Sequence, residues 1–511
     1  MNILLDALNK WAITQPDHIA LVGTDEQGQT VQFSYSELLG KVQQTAEQLK
    51  ALSVESLALR AENSVNWAII DLAAMAAHIV VVPVPTFFSD AQVAHTLRES
   101  RVDALVGDWQ DVSLADYAPL LVDQNTSTEV AGLNVLRITA QGPASYLAGT
   151  GKVTFTSGST GQPKGVCLSN EHLCEVASSL AQSVDGLAKS HMVLLPLSTL
   201  LENITGIYVP LLLGATSYIL PGEKTGLMGS SQFDTALFAK VLAEIKPDAL
   251  VLTPALLLAL INIVKQRPDL ADSLKFVAVG GARVSSSLIN AAHALNIPAF
   301  EGYGLSECGS VVCLNTPLSF KAGTCGKPLP HTQIRIAEDG ELYVKGNIAL
   351  GYLDEPFSQE WLATGDLAQL DEQGFVTLSG RKKNLIVTAY GRNVSPEWIE
   401  SEALAFMPNV PLIVTGDGRL ALCAIVATSD NLVEKISALN STLPDYARIQ
   451  TLLVINNPRA IASWYTENGK LKRNEIEFSV NQFLNNTNSE LMLEGQKVQK
   501  LDLPLQQSIA S

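Results

Sequence analysis

The chain has 511 residues, 47% of them hydrophobic and 17% charged. That balance excludes a disordered chain and leaves room for roughly two to four domains with large buried cores. The net charge of −17 excludes nucleic acid as the main partner, because phosphate neutralisation needs a basic face.

The N-terminal residues Met1-Asn2-Ile3-Leu4-Leu5-Asp6 lack a charged leader and a long apolar run, so no signal peptide is expected. Residues 2–22 read as a helix leading to a strand, with Leu4, Leu5, Leu8 and Trp11 on one face. A short strand at Phe33 follows, then a helix capped by Ser34 or Ser36, with Leu38, Val42 and Leu49 inward. Leu57-Ala58-Leu59 reads as a strand, Asn66 to Ala77 as a helix and Ile79 to Val84 as a strand. The apolar run Ala68 to Val82 is interrupted by Asp71 and His78 and ends at Pro83. It is short for a membrane span, and a buried helix followed by a strand is expected. Gln92 to Glu99 starts a helix and Ala104 to Val106 a strand. The alternation predicts parallel sheets covered by helices.

Val153-Thr154-Phe155 then runs into Thr156-Ser157-Gly158-Ser159-Thr160-Gly161-Gln162-Pro163-Lys164-Gly165. Glycines admit close backbone approach, hydroxyls donate hydrogen bonds and the lysine adds charge, so the loop suits a polyphosphate. It does not fit G-x-x-x-x-G-K-[ST]. A Ser/Gly surface loop explains the glycines but not the Pro-Lys-Gly ending between two apolar runs.

The alternation resumes with strands at Val193–Leu195, Thr216–Leu220 and Ala249–Leu252. Helices are predicted at Leu200–Leu213, Phe233–Ile245 and Pro254–Val264. Two strands end in glycines: Phe276–Val279 before Gly280-Gly281-Ala282, and Ile297–Phe300 before Glu301-Gly302-Tyr303-Gly304. Ligands of α/β sheets sit beyond the carboxyl ends of strands, so both ends should face one crevice. From Thr324 short strands with Asp339-Gly340 and Gln373-Gly374 turns predict a small antiparallel or barrel-like subdomain. Gly380-Arg381-Lys382-Lys383 marks a boundary, followed by an α+β lid of about a hundred residues. The expected division is 1–379, 380–484 and a polar, loosely held tail at 485–511.

Singly, the remaining chemical signals are weak. Tyr303 offers a ring for a base, Ser306 a hydroxyl and Glu307 a carboxylate for Mg²⁺. Asp366, in Thr364-Gly365-Asp366, offers two acceptors to a ribose diol, although such a residue is more often a turn former. Lys470, in Asn468-Gly469-Lys470, stands at a turn tip, where lysines are usually idle. The six cysteines, Cys167, Cys174, Cys308, Cys313, Cys325 and Cys423, form no Cys-x-x-Cys pair. They read as reduced thiols in a cytoplasmic protein.

Taken in order and spacing, these motifs resemble the adenylate-forming superfamily of acyl- and aryl-CoA synthetases, adenylation domains and luciferases, over about residues 5–480. The Phe300–Cys308 run is closest to fatty acyl-CoA ligases. The resemblance implies an AMP-forming acid–thiol ligase with ATP, Mg²⁺ and CoA. It implies that Thr156, Ser157, Gly158, Ser159, Thr160, Gly161 and Lys164 cradle the β- and γ-phosphates. Gly280, Gly281, Ala282, Glu301, Gly302, Tyr303 and Gly304 would flank the adenosine. Ser306 would meet the α-phosphate, Glu307 the metal, and Asp366 with Arg381 the ribose. Lys470 would be catalytic, Lys383 the hinge, and Gly391 would line the pantetheine channel. Three positions depart from the family pattern: Ser306 replaces a threonine, Thr199 an aromatic or histidine gate, and Asn384 an acidic residue. With no aspartate near Pro196 to bind an amino group, and with apolar neighbours, a pocket near Thr199, Glu202, Thr253 and Pro254 suits a medium- or long-chain fatty acid. An aryl acid is the alternative. A separate acyl carrier protein as acceptor and peripheral membrane contact stay open.

Overall fold

The computed structural model describes residues 2–25, 28–110, 128–138, 146–157, 163–229, 232–408, 410–465, 470–485 and 491–503. Two nine-stranded sheets dominate. In one, Ile19–Thr24, Thr216–Ile219, Ser190–Val193, Ala249–Leu252, Phe276–Val279 and Ala299–Tyr303 run parallel in that spatial order. Antiparallel strands are added at both of its margins. In the other, Thr150–Ser157, Val80–Pro83, Ser56–Arg60 and Ala104–Gly107 are parallel neighbours. Parallel strands are covered on both faces, which is why they read as continuous apolar runs.

Alternation along each strand sorts side chains between two cores. Val193 points into the core between the two sheets, whereas Met192 and Leu194 point to the outer core with helices Thr235–Ile245 and Pro254–Gln266. Leu57 and Leu59 likewise face the central core, and Ala58 faces the opposite side. Helices Tyr35–Ala51, Val65–Ala77 and Asn170–Val184 fill the central layer. Ser34, not Ser36, caps the helix at 35: it accepts from Glu37 N while Glu37 returns a bond to Ser34 N.

Some elements differ from expectation. The helix expected over 200–213 is broken into Leu200–Asn203, a π turn at Ile204–Tyr208 and Val209–Leu213. Val209 donates to Ile204, and Pro210, which has no N–H, follows directly. The small subdomain is an open antiparallel sheet of four strands, Thr332–Ile336, Glu341–Gly346, Leu362–Leu370 and Val376–Arg381, and not a closed barrel. The polar stretch expected as a loose tail instead supplies strands Leu491–Leu493 and Gln496–Asp502. They join Leu412–Thr415, Leu422–Ala427 and Ile449–Ile455 in the C-terminal sheet. Gln496–Asp502 lies between Ile449–Ile455 and the edge strand Leu491–Leu493, and Val498 is its buried residue.

Beneath the central core lies a buried polar cluster. Lys152 Nζ donates to Asp71 Oδ1 at 2.7 Å, to the Tyr208 hydroxyl at 2.9 Å and to Asn203 Oδ1. Tyr208 and Asn203 donate in turn to Asp71 Oδ2 at 2.6 and 3.0 Å. All four side chains are buried. The cluster ties the strand Thr150–Ser157, helix Val65–Ala77 and the π turn together.

Candidate active site

The hairpin of Thr150–Ser157 and Pro163–Ser169 presents the suspected phosphate loop, with Thr156 paired to Lys164 across the ladder. Gly158, Ser159, Thr160 and Gly161 lie outside the described residues. Lys164 Nζ stands 4.5 Å from the centre of the Tyr352 ring. The Tyr352 hydroxyl donates to Glu307 Oε1 at 3.0 Å. One tyrosine thus links the loop lysine to the candidate metal carboxylate. The sequence reading missed Tyr352, whose only local signal is the Gly351-Tyr352 step onto the strand Pro163–Ser169.

The two glycine-rich strand ends meet as expected. Gly280, Gly281, Gly302, Tyr303, Gly304 and Ser306 all border one cavity, with Ala282 exposed beside them. Gly281 has φ +79°, and a Cβ on Gly304 would overlap the Ser310 carbonyl, so both positions need glycine. Glu301 is buried behind this wall. Burial pushes its carboxyl up to about 8, with Arg283 and the Val284 N–H opposing.

A folded-state pKa raised from 4.5 to about 8 leaves its full contribution below pH 4.5 and loses it as pH rises through about 8. Glu301→Gln is expected to remove this loss, which amounts to at most about 5 kcal/mol. Urea denaturation of both proteins between pH 5 and pH 9 checks it: parallel pH profiles would refute the assignment.

Asp366 sits opposite Arg381 in the antiparallel ladder. Arg381 Nε reaches its Oδ1 at 2.7 Å, and the Tyr303 hydroxyl donates to its Oδ2 at 2.6 Å. Burial raises the Asp366 carboxyl, while Arg381 and Tyr303 pull it back. A carboxylate has about four acceptor positions, so those two bonds leave room for a diol.

The C-terminal part closes over this mouth. Lys470 retains solvent exposure, yet it stands within electrostatic reach of Arg381, Lys383 and Glu307. Desolvation and then the like charges of Arg381 and Lys383 lower its pKa, and Glu307 opposes them. Asn468 and Gly469 lie outside the described residues. Arg473, at the start of the next helix, is bonded to Glu397 and to both oxygens of Glu400. Glu402 faces Arg283 and Ser287 of the large domain, and burial raises its carboxyl against their pull. At the expected hinge, Lys382 bonds backwards to Asp339 and Glu341, each at 2.7 Å. Asn384 bonds forwards to Glu397 at 2.6 Å. Lys383 is the residue between these two anchors. Gly391 is exposed in the turn between Ile386–Val387 and Asn393–Val394 and is not part of the cavity wall.

The cavity holds about 280 Å³ and runs between the first sheet and the helices Asn170–Val184 and 200–213. Its walls are mainly apolar, including Leu180, Val184, Leu200, Val209, Val251 and Phe276. Thr199 lines it as expected. Glu202, Thr253 and Pro254 do not. Glu202 is fully buried behind the wall and accepts His191 Nε2 at 2.9 Å. Thr253 caps the helix Pro254–Gln266 through Leu256 N. Pro254 is buried as the first residue of that helix. The strand Ala249–Leu252 turns Ala249 and Val251 to the cavity instead.

Among the described residues, no cluster of three or more His, Cys, Asp or Glu side chains stands ready to hold a metal alone. A hard cation held by the Glu307 carboxylate together with phosphate oxygens fits this donor set.

A family model described as AMP-binding enzyme matches residues 8–353, and the chain belongs to that family. It is 28% identical to the long-chain-fatty-acid–CoA ligase FadD15 of Mycobacterium tuberculosis, covering 74% of this chain and 73% of the relative. It is 26% identical to FadD13 of the same species, over 79% of this chain and 85% of that ligase. The medium-chain acyl-CoA ligase ACSF2 of Mus musculus is 25% identical over 77% of this chain and 73% of its own length. The fold matches O-succinylbenzoate CoA synthetase of Bacillus subtilis in complex with ATP and magnesium, with TM-score 0.72, 23% identity and coverage of 93% and 98%. It also matches the anthranilate CoA ligase AuaEII with anthranoyl-AMP, with TM-score 0.74, 18% identity and coverage of 93% and 96%.

Proposed function

We propose that the chain is an AMP-forming acid–CoA ligase for medium- or long-chain fatty acids. One observation carries the reading most strongly. In a chain of net charge −17, Arg381, Lys383 and Lys470 gather with Glu307 at the mouth of an apolar cavity. Such a local positive cluster suits a polyphosphate meeting an aliphatic acid.

In this reading the carboxylate oxygen attacks the α-phosphorus of ATP, and pyrophosphate leaves with the electrons of the broken P–O bond. Thr156, Lys164 and the loop between them hold the leaving phosphates. Ser306 meets the α-phosphate, and Gly280, Gly281, Ala282, Glu301, Gly302 and Tyr303 enclose the base. Asp366, steadied by Arg381, takes the ribose hydroxyls. Lys470 neutralises charge that develops between the carboxylate and the α-phosphate, where a pre-placed cation is most effective. Glu307 would hold Mg²⁺, which neutralises phosphate charge when bound. The thiol then attacks the acyl carbon and AMP leaves. For that step the lid turns about Lys383, brings Gly391 to the site and withdraws Lys470.

No helix among the described residues is long and apolar enough to cross a membrane. The six cysteines are free and buried, which suits a reducing cytoplasm. The test is a panel of carboxylic acids scored for pyrophosphate release, with and without CoA. The reading expects release with aliphatic acids of eight or more carbons and acyl-CoA only when CoA is present. Release confined to aryl acids would replace the fatty acid with an aryl substrate. Absence of release with every acid would overturn the reading.

A further inference from the structure

The acyl cavity contains a polar device that a plain hydrocarbon chain does not use. His191 lies on its wall, 6% exposed, among apolar neighbours. Its Nε2 is held by Glu202 Oε1 at 2.9 Å. The other Glu202 oxygen accepts the Leu195 N–H at 3.3 Å. The carboxyl is therefore anchored and the imidazole has one fixed orientation. With Nε2 bonded to Glu202, Nδ1 has no hydrogen-bond partner among the described residues. A polar atom on an apolar cavity wall that no protein group bonds is normally satisfied by water or by a ligand. Two ionisable side chains placed behind a greasy wall are hard to explain as packing alone, since apolar residues of the same size would fill the space at no such cost.

The position of His191 along the cavity is fixed by strand register. It pairs with Ala249, which pairs with Phe276. Gly280, on the rim beside the acid-activating groups, lies four residues further along the Phe276 strand. At about 3.3 Å per residue this puts the histidine ~13 Å below the rim along the strand direction. An extended chain spans roughly 1.2 Å per bond, since three bonds cover at most ~3.6 Å, so the histidine is roughly eleven bonds deep. Ser190, the neighbouring residue, lines the same end.

We propose that His191, oriented by Glu202, is a specificity residue that binds an oxygen function near the far end of the acyl chain, so that the preferred substrate is a hydroxylated acid of roughly ten to twelve carbons. A hydroxyl both donates and accepts, and so it pairs with Nδ1 whichever tautomer the imidazole takes. A site built to bond a hydroxyl discriminates against the chain that lacks it, because a plain chain shuts the imidazole nitrogen off from water and gives it no partner. This inference rests on the acid-activating reading and narrows its substrate.

The test compares decanoic and dodecanoic acids with their terminal hydroxy derivatives. The wild-type protein, His191→Leu and the double variant His191→Leu/Glu202→Leu are each assayed. The double variant replaces both partners and leaves no buried unpaired carboxyl if the single variant folds poorly. The readouts are kcat/KM for pyrophosphate release and the shift in melting temperature caused by each acid without ATP. The expected result is a preference of tenfold or more for the hydroxy acid in the wild-type protein. That preference should vanish in both variants. Equal preference in all three proteins, or a wild-type preference for plain acids, would overturn the inference. If no acid releases pyrophosphate, the activity reading fails, and the melting shifts still decide this point. A His191-dependent excess shift with the hydroxy acids supports the site, and equal or absent shifts refute it.

Discussion

Lys470→Ala is expected to lower acid-dependent pyrophosphate release by about a hundred- to a thousandfold, the scale seen when one pre-placed charge-stabilising group is removed. Its melting temperature should stay within a degree or two of the wild type, because an exposed side chain contributes little to packing. Lys470 faces Glu307 among the cations Arg381 and Lys383, and desolvation, followed by that crowding, holds its pKa below the usual lysine value. An anion arriving there reverses the balance and favours the ammonium form. The defect should therefore fall on the adenylating step. Transfer from a supplied acyl-adenylate to CoA should survive if, as proposed above, the lid turns Lys470 away for that step. Loss of both steps in equal measure would point to a structural defect instead.

Asp71→Ala is expected to destabilise the large domain by about 3–5 kcal/mol, because it leaves the Lys152 ammonium buried with its carboxylate removed. Lys152 and Asp71 are 2% and 1% exposed, so water cannot compensate without opening the core. Burial already lowers the Lys152 pKa against the pull of Asp71. Replacing both, as Asp71→Leu with Lys152→Met, should cost much less, since no unpaired charge remains. Thermal unfolding of the two variants separates these outcomes. A single variant as stable as the double one would show that the charge pair does not hold the hairpin in place.

Signals that lie within a few neighbouring residues were legible in the sequence. The alternating strands and helices, the two glycine-ended strands and the Thr364-Gly365-Asp366 run all lie where their residue types suggested. Pairings between distant residues were not legible. Nothing near Glu307 announces Tyr352, which arrives through a strand added to the phosphate hairpin. His191 and Lys152 look like ordinary strand residues until Glu202 and Asp71 are brought to them. The pocket reading went wrong at Thr253 and Pro254 because their position after an apolar strand does not say which sheet face they take. The C-terminal strands are not legible because Gln496–Asp502, with one fully buried residue, Val498, among charged and polar ones, resembles a tail in composition.

The central claim is that a carboxylate oxygen attacks the α-phosphorus of ATP. It is tested most directly by supplying the acid with ¹⁸O in its carboxyl group, together with ATP, Mg²⁺ and CoA, and weighing the products. The account predicts AMP and pyrophosphate, with one labelled oxygen in the phosphate of AMP and none in pyrophosphate. Formation of ADP and phosphate, or AMP without label, would contradict it.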